Sequence, residues 1–120
     1  MNKNESREDY LEAILQLINS NQRHKSIDVA HKLGFSKPSV SVAIKKLKQE
    51  GLVIVLEDGT IDLTNEGRII AEKTLEKHLY LTALFIKIGV DPIKAEEQAC
   101  EIEHDITEDT FQKLKDFLDK

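Results

Sequence analysis

One stretch of this chain breaks the helical pattern of everything around it. It reads L-V-I-V-L-E-D-G-T-I-D-L-T, from Leu52 to Thr64. Leu52 to Leu56 are apolar or β-branched, and Ile61 and Leu63 alternate with polar residues. Asp58-Gly59 between the two runs is the signal of a tight hairpin. Two short strands therefore interrupt a chain that is otherwise mostly α.

The flanking segments carry helical periodicity. Tyr10, Leu11, Ile14, Leu15, Leu17 and Ile18 form an apolar stripe over Glu8–Ile18. A short helix is expected over Ser26–Leu33, with Ser26 as N-cap and Gly34 as the stop. In F-S-K-P-S-V-S-V-A-I-K-K-L-K-Q-E-G, Ser36 is expected to cap a third helix. Pro38 falls in its first turn, where a missing N–H costs little. Val40, Ala43, Ile44 and Leu47 are its buried side, and Gly51 ends it. After the hairpin, Thr64 or Asn65 caps a long helix to about Ile88. Asp91-Pro92 opens another to about Asp105. Thr107 caps the last one, to about Leu118.

Helix, helix, turn, helix and two-stranded wing is the order of a winged helix-turn-helix. The spacing predicts residues 1–63 as that module and residues 64–120 as an all-helical second domain. Charge supports a nucleic-acid role for the first. The chain carries a net charge of −5, yet Asn21–Lys48 holds seven Lys and Arg against Asp28 alone. A basic segment in an acidic chain is a local footprint for phosphates. Ser36, Lys37, Pro38, Ser39 and Ser41 lie near the N-terminus of the third helix, whose N–H groups also face outward. Lys25, Lys45 and Lys46 extend the positive surface. The wing tip E-D-G-T is acidic, so Lys25, Lys37 and the helix N-termini are expected to contact phosphate more than the wing does. A dimer would set two such helices about 34 Å apart on a palindromic double-stranded DNA operator.

Other classes are disfavoured. No run approaches the roughly 18 apolar residues of a membrane span, and M-N-K-N-E-S-R-E-D has no apolar signal core. One cysteine, Cys100, leaves no intrachain disulfide framework. The expectation is a cytoplasmic protein without membrane contact. No H-E-x-x-H and no substrate cleft is indicated, so an enzyme is not expected.

Near the C-terminus, A-C-E-I-E-H-D-I gathers chemistry. On a helix, Glu96, Cys100, Glu103 and His104 share a face, because residues three and four apart are neighbours. Thiolate, carboxylate and imidazole on one stripe suit a divalent transition metal. One helix rarely completes a coordination shell. Asp9 and Glu12, three apart on the first helix, and His78 on the long helix are candidate partners.

The chain resembles the diphtheria toxin repressor and manganese transport regulator family of metal-dependent repressors. The resemblance rests on E-D-Y-L-E-A-I, S-K-P-S-V-S, G-L-V, L-T-N-E-G-R, Lys77-His78, I-G-V-D and A-C-E-I-E-H. It implies an N-terminal winged helix, a helical dimerisation domain, and a divalent metal at their junction that favours the operator-binding homodimer. It also implies Asp9 and Glu12 as ligands, as in the manganese branch; the iron branch has methionine where Asp9 stands. It further implies His78, Cys100, Glu103 and His104. Cys100 follows the iron branch, where the manganese branch has glutamate. Glu96, at the place of an ancillary iron-branch histidine, is a weaker candidate. A thiolate favours softer ions than Mn²⁺ while Asp9 and Glu12 favour harder ones. Fe²⁺ is thus expected first and Mn²⁺ second, with Co²⁺, Ni²⁺ or Zn²⁺ able to bind in vitro. In length the chain resembles the short manganese branch without an SH3-like domain. Val42 stands where some relatives have glutamine, so base readout is expected to differ.

The expected function is repression of metal-ion homeostasis genes. Crowded carboxylates would oppose closure of the first helix onto the second module until a cation neutralises them. The alternative is a winged-helix regulator that senses oxidant or a small molecule through Cys100, with Glu103 and His104 tuning its thiol.

Overall fold

The structure is a computed structural model that describes residues 3–119, and side chains from Arg7 onward. Met1, Asn2 and Lys120, the outermost ends of the two expected domains, lie outside the described residues. The elements run α1 (Lys3–Asn19), α2 (Ser26–Leu33), α3 (Lys37–Gln49), β1 (Val53–Val55), β2 (Ile61–Leu63), α4 (Asn65–Lys87), α5 (Pro92–Ile102) and α6 (Glu108–Leu118). Two compact units divide the chain, with the division inside α4 between Lys73 and Thr74. The architecture is mostly α with one antiparallel hairpin.

In the first unit, α1 packs on α2, α3 and β2, while α3 packs on α2 and β1. Its core is Leu11, Ile14, Leu15, Val29, Val40, Ile44, Leu47, Val53 and Ile61. Ala43, expected on the buried side of α3, is half-buried. Phe35, in the turn between α2 and α3, meets Tyr10 of α1 edge-on, with ring centroids 5.8 Å apart. That contact helps fix the angle at which α3 leaves the turn. Gly34 makes the turn possible: its φ is +72°, and its N–H donates to Ala30 O at 2.8 Å.

The N-terminus of α2 differs from expectation. Ser26 is its first helical residue, and the cap position belongs to Lys25. Asp28 Oδ2 accepts the Lys25 N–H at 2.9 Å, while its carboxylate also takes Arg23 Nε and Nη2. A carboxylate reaching back to the cap residue replaces the hydroxyl cap. At α3, Ser36 Oγ does accept the Ser39 N–H, at 3.3 Å.

The hairpin pairs Val53 with Leu63, Ile54 with Asp62 and Val55 with Ile61. Its loop is longer than a two-residue turn. Leu56 N–H donates to Thr60 O at 2.8 Å and Gly59 N–H to Leu56 O at 2.9 Å, with Gly59 at φ +90°. Asp58-Gly59 therefore makes a three-residue loop with a left-handed glycine. A further rung, unforeseen in the sequence, lies on the other edge of β2. Lys25 bridges Thr60, and the Ile61 N–H donates to His24 O at 2.9 Å. His24 Nδ1 also lies 2.6 Å from Ile61 O.

Thr64 starts α4. Its Oγ1 accepts the Gly67 N–H at 3.1 Å and donates to Gly51 O at 2.7 Å. Gly67 allows that approach, because a Cβ there would stand 2.0 Å from Leu52 O.

In the second unit, Thr74, Lys77, His78 and Leu81 are the buried stripe of α4. Ala95 and Ala99 are that of α5, and Phe111 that of α6. Tyr80 and Phe111 meet edge-on at 5.4 Å. Asp91 caps α5 with Pro92 at its first helical position, and Thr107 Oγ1 caps α6 by accepting the Thr110 N–H. No described helix is long and apolar enough to cross a membrane.

Candidate metal centre and nucleic-acid interface

The second unit builds its polar centre from a turn and a helix. α5 ends at Ile102, earlier than the expected Asp105. The N–H of Glu103 still donates to Ala99 O, but Asp105 N–H donates to Ile102 O, tightening the chain. His104 therefore leaves the helical stripe and lies in a turn. This places Glu103 between two imidazoles. His78 Nδ1 lies 2.9 Å from Glu103 Oε2, and His104 Nε2 lies 3.4 Å from Glu103 Oε1. Glu96 Oε1 is 3.9 Å from His78 Nε2.

Glu103 is 1% exposed, and His78 is also buried. A carboxylate so removed from water needs positive charge or hydrogen bonds nearby. Two imidazoles and one carboxylate, converging and buried, form a donor set that fits a divalent transition metal. Cys100 is exposed on α5, and its sulfur is the softest donor in this unit. Asp9 and Glu12 belong to the first unit. They lie three residues apart on α1, Asp9 half-buried and Glu12 buried. The residues brought together within one unit are thus His78, Glu103 and His104, with Glu96 beside them.

Lys77 was not singled out in the sequence for any task of its own. Its Nζ donates to Ile106 O at 2.9 Å and pairs with Glu108 at 3.1 Å. Two adjacent residues of α4 thus hold the turn after α5, one at Glu103 and the other at Ile106. The signal was present: Lys77 falls three residues after Thr74 and four before Leu81, on the inward stripe.

On the first unit, Ser36, Lys37, Pro38, Ser39, Ser41, Lys45 and Lys46 are all exposed along α3. Ser36 is partly engaged, since it caps α3 and its hydroxyl donates to Ser39 Oγ at 2.9 Å. Lys25 is half-buried. It lines an open groove of about 320 Å³ with Ser26, Ile27, Lys37, Ser41 and Gly59. The N-termini of α2 and α3 and the wing tip therefore meet at one groove that carries two cations. Asp58 remains an anion at the wing tip. The Thr60 N–H, donating at 2.9 Å, holds its carboxyl below the usual range. Lys25 and Lys37 are the cations that line this groove.

Known proteins resemble the chain along nearly its whole length. The iron-dependent repressor N-terminal DNA-binding domain matches residues 4–60. The metal-binding and dimerisation domain of iron-dependent repressors matches residues 64–120. The transcriptional regulator MntR of Escherichia coli is 31% identical, over 94% of this chain and 73% of that protein. The HTH-type transcriptional regulator MJ0568 of Methanocaldococcus jannaschii is 34% identical, over 97% of this chain and 94% of that one. The structure of the manganese regulator SloR superposes with a TM-score of 0.80 at 30% identity, over 94% of this chain. This chain spans only 53% of SloR's length. The chain belongs to the iron-dependent repressor family, metal-dependent transcriptional repressors that pair a DNA-binding winged helix with a metal-binding dimerisation domain.

Proposed function

We propose that this protein represses metal-ion homeostasis genes from the cytoplasm. Its ligands are Asp9, Glu12, His78, Cys100, Glu103 and His104, with Glu96 ancillary. The observation that carries this reading is the buried Glu103 between His78 and His104, in a chain whose residues 64–120 match a metal-binding domain. We take the functional boundary at Leu63–Thr64, so that α1 and the wing belong to the DNA-binding module.

Bound metal supplies positive charge to a set rich in carboxylates. Asp9 and Glu12 bring two of those carboxylates from the DNA-binding module, and their neutralisation links metal occupancy to the operator-binding dimer. Such linkage amounts to about 1–3 kcal/mol in typical cases and acts only through differential affinity for the two states. We favour Fe²⁺, with Mn²⁺ second, because one thiol joins an otherwise hard donor set. The DNA contacts are Lys25, Ser36, Lys37, Pro38, Ser39, Ser41, Lys45 and Lys46. Lys25 and Lys37 face phosphate across their shared groove.

The test is an anaerobic titration of metal-free protein with Fe²⁺ and with Mn²⁺, following binding to duplexes selected from a random library. Either ion should tighten DNA binding and raise the melting temperature. A metal that alters neither would overturn the reading. Cys100→Glu should shift the preference from Fe²⁺ toward Mn²⁺, and an unchanged preference would remove the thiol from ion selection.

A further inference from the structure

We infer that Val42 reads the 5-methyl group of thymine in the major groove, and so sets part of this protein's operator preference. The inference rests on the proposed DNA-binding role of α3. That helix buries Val40, Ile44 and Leu47. At 3.6 residues per turn, Val42 lies opposite that stripe, and it is 70% exposed. Pro38 and Ser39 precede it by a turn, Lys45 and Lys46 follow it by a turn, and all four are exposed. A branched apolar side chain thus occupies the middle of a face whose flank is cationic.

Nothing in the fold of this unit accounts for Val42. Valine is a poorer helix former than the polar residues that suit a solvated face. Packing does not select it either, since its side chain points away from the core. The lysines beyond it have phosphates as their natural partners, which leaves the middle of the face for the groove floor. That floor offers donors, acceptors and one apolar group, the thymine methyl. Valine has nothing to give a donor or an acceptor. A base edge such as the cytosine amino group would lose water against Val42 without gaining a hydrogen bond. Val42 therefore acts in both directions, favouring thymine at its position and penalising bases that present a polar edge there.

The experiment uses the full chain loaded with Mn²⁺, or with Fe²⁺ under anaerobic conditions. Duplexes selected from a random library are resynthesised with deoxyuridine in place of thymine, one position at a time. Uracil keeps every hydrogen-bonding group and lacks only the methyl. At one position in each half-site, affinity should fall about fourfold, the factor for burying one methyl-sized group. That loss should vanish in Val42→Ala, a solvent-facing substitution that leaves the core of α3 intact. If no deoxyuridine position costs the wild type more than the variant, the Val42 assignment is wrong and the repressor reading stands. If the metal-loaded chain selects no duplex at all, both are wrong.

Discussion

At the scale of single residues, Gly67 shows how one missing atom shapes the first unit. An exposed glycine inside a helix ordinarily gains stability on change to alanine, by up to about 1 kcal/mol. Gly67 should do the opposite, because its Cβ would meet the Leu52 carbonyl oxygen at 2.0 Å. Gly67→Ala is expected to lower unfolding free energy in urea by about 2 kcal/mol, as overpacked sites do. An unchanged midpoint would show that β1 and α4 separate without cost. Asp28 carries a pH-dependent contribution. Its carboxyl is held below the usual range, first by the hydrogen bond from Arg23 and further by the Lys25 N–H. A depressed acid contributes stability that is present above its unfolded pKa of about 4 and lost as pH falls through the folded value. Asp28→Asn should therefore flatten the acid limb of the thermal-stability profile below about pH 4, with its largest difference from wild type at neutral pH. Glu103 belongs to the chemistry of the site. Glu103→Gln should weaken Fe²⁺ binding about 100-fold in anaerobic calorimetry, since even groups that only orient metal ligands reach that effect.

At the scale of elements, the turn after α5 depends on a lysine that looks like an ordinary surface cation in the sequence. Lys77→Met should destabilise the chain by about 1.5–3 kcal/mol, the usual worth of a hydrogen bond to a charged group. It should also weaken metal binding, because the turn bearing Glu103 and His104 loses its second attachment. Metal affinity equal to wild type would show that His78 alone orients Glu103. This turn also marks where the sequence stopped being legible. The C-terminal end of α2 is legible in the sequence because Gly34 supplies a local stop. α5 was read too long because A-C-E-I-E-H-D continues a helical spacing. It ends at Ile102, where the Asp105 N–H turns to Ile102 O and Lys77 of α4 holds Ile106 O. The capping of α2 misled for a similar reason. Ser26 is a good cap by type, yet Asp28 reaches the Lys25 N–H while paired with Arg23. The rung of His24 and Lys25 on β2 was invisible because it joins residues far apart in sequence. Candidate donors, in contrast, can be picked out by residue type, while the convergence of His78, Glu103 and His104 depends on the fold.

At the scale of the whole molecule, the second unit has apolar surface to spare. Ile93 is 73% and Phe117 71% exposed, and Leu79 and Ile88 are exposed as well. Leu81 and Phe111, in contrast, are buried inside the unit. A dimerisation domain needs such a surplus, since apolar area removed from water is the main driving force of association. Phe117→Asp together with Ile93→Asp should shift the protein toward monomer in sedimentation velocity, while leaving the fold of the first unit intact by circular dichroism. A dimer of undiminished strength would move the interface to another face.

The distribution of charge has a consequence for speed rather than strength. Residues 64–120 carry 13 acidic and 8 basic residues, whereas the cations of the winged helix gather on α2, α3 and the groove they share with the wing. The acidic residues of the second segment repel DNA, whereas the basic segment of the winged helix attracts it. Long-range fields of this kind orient a molecule before contact, so that a larger share of collisions begins with α3 turned toward the duplex. The surplus of acid serves as a filter on encounters: added salt should weaken this orienting field, so that a smaller share of collisions begins with α3 turned toward the duplex.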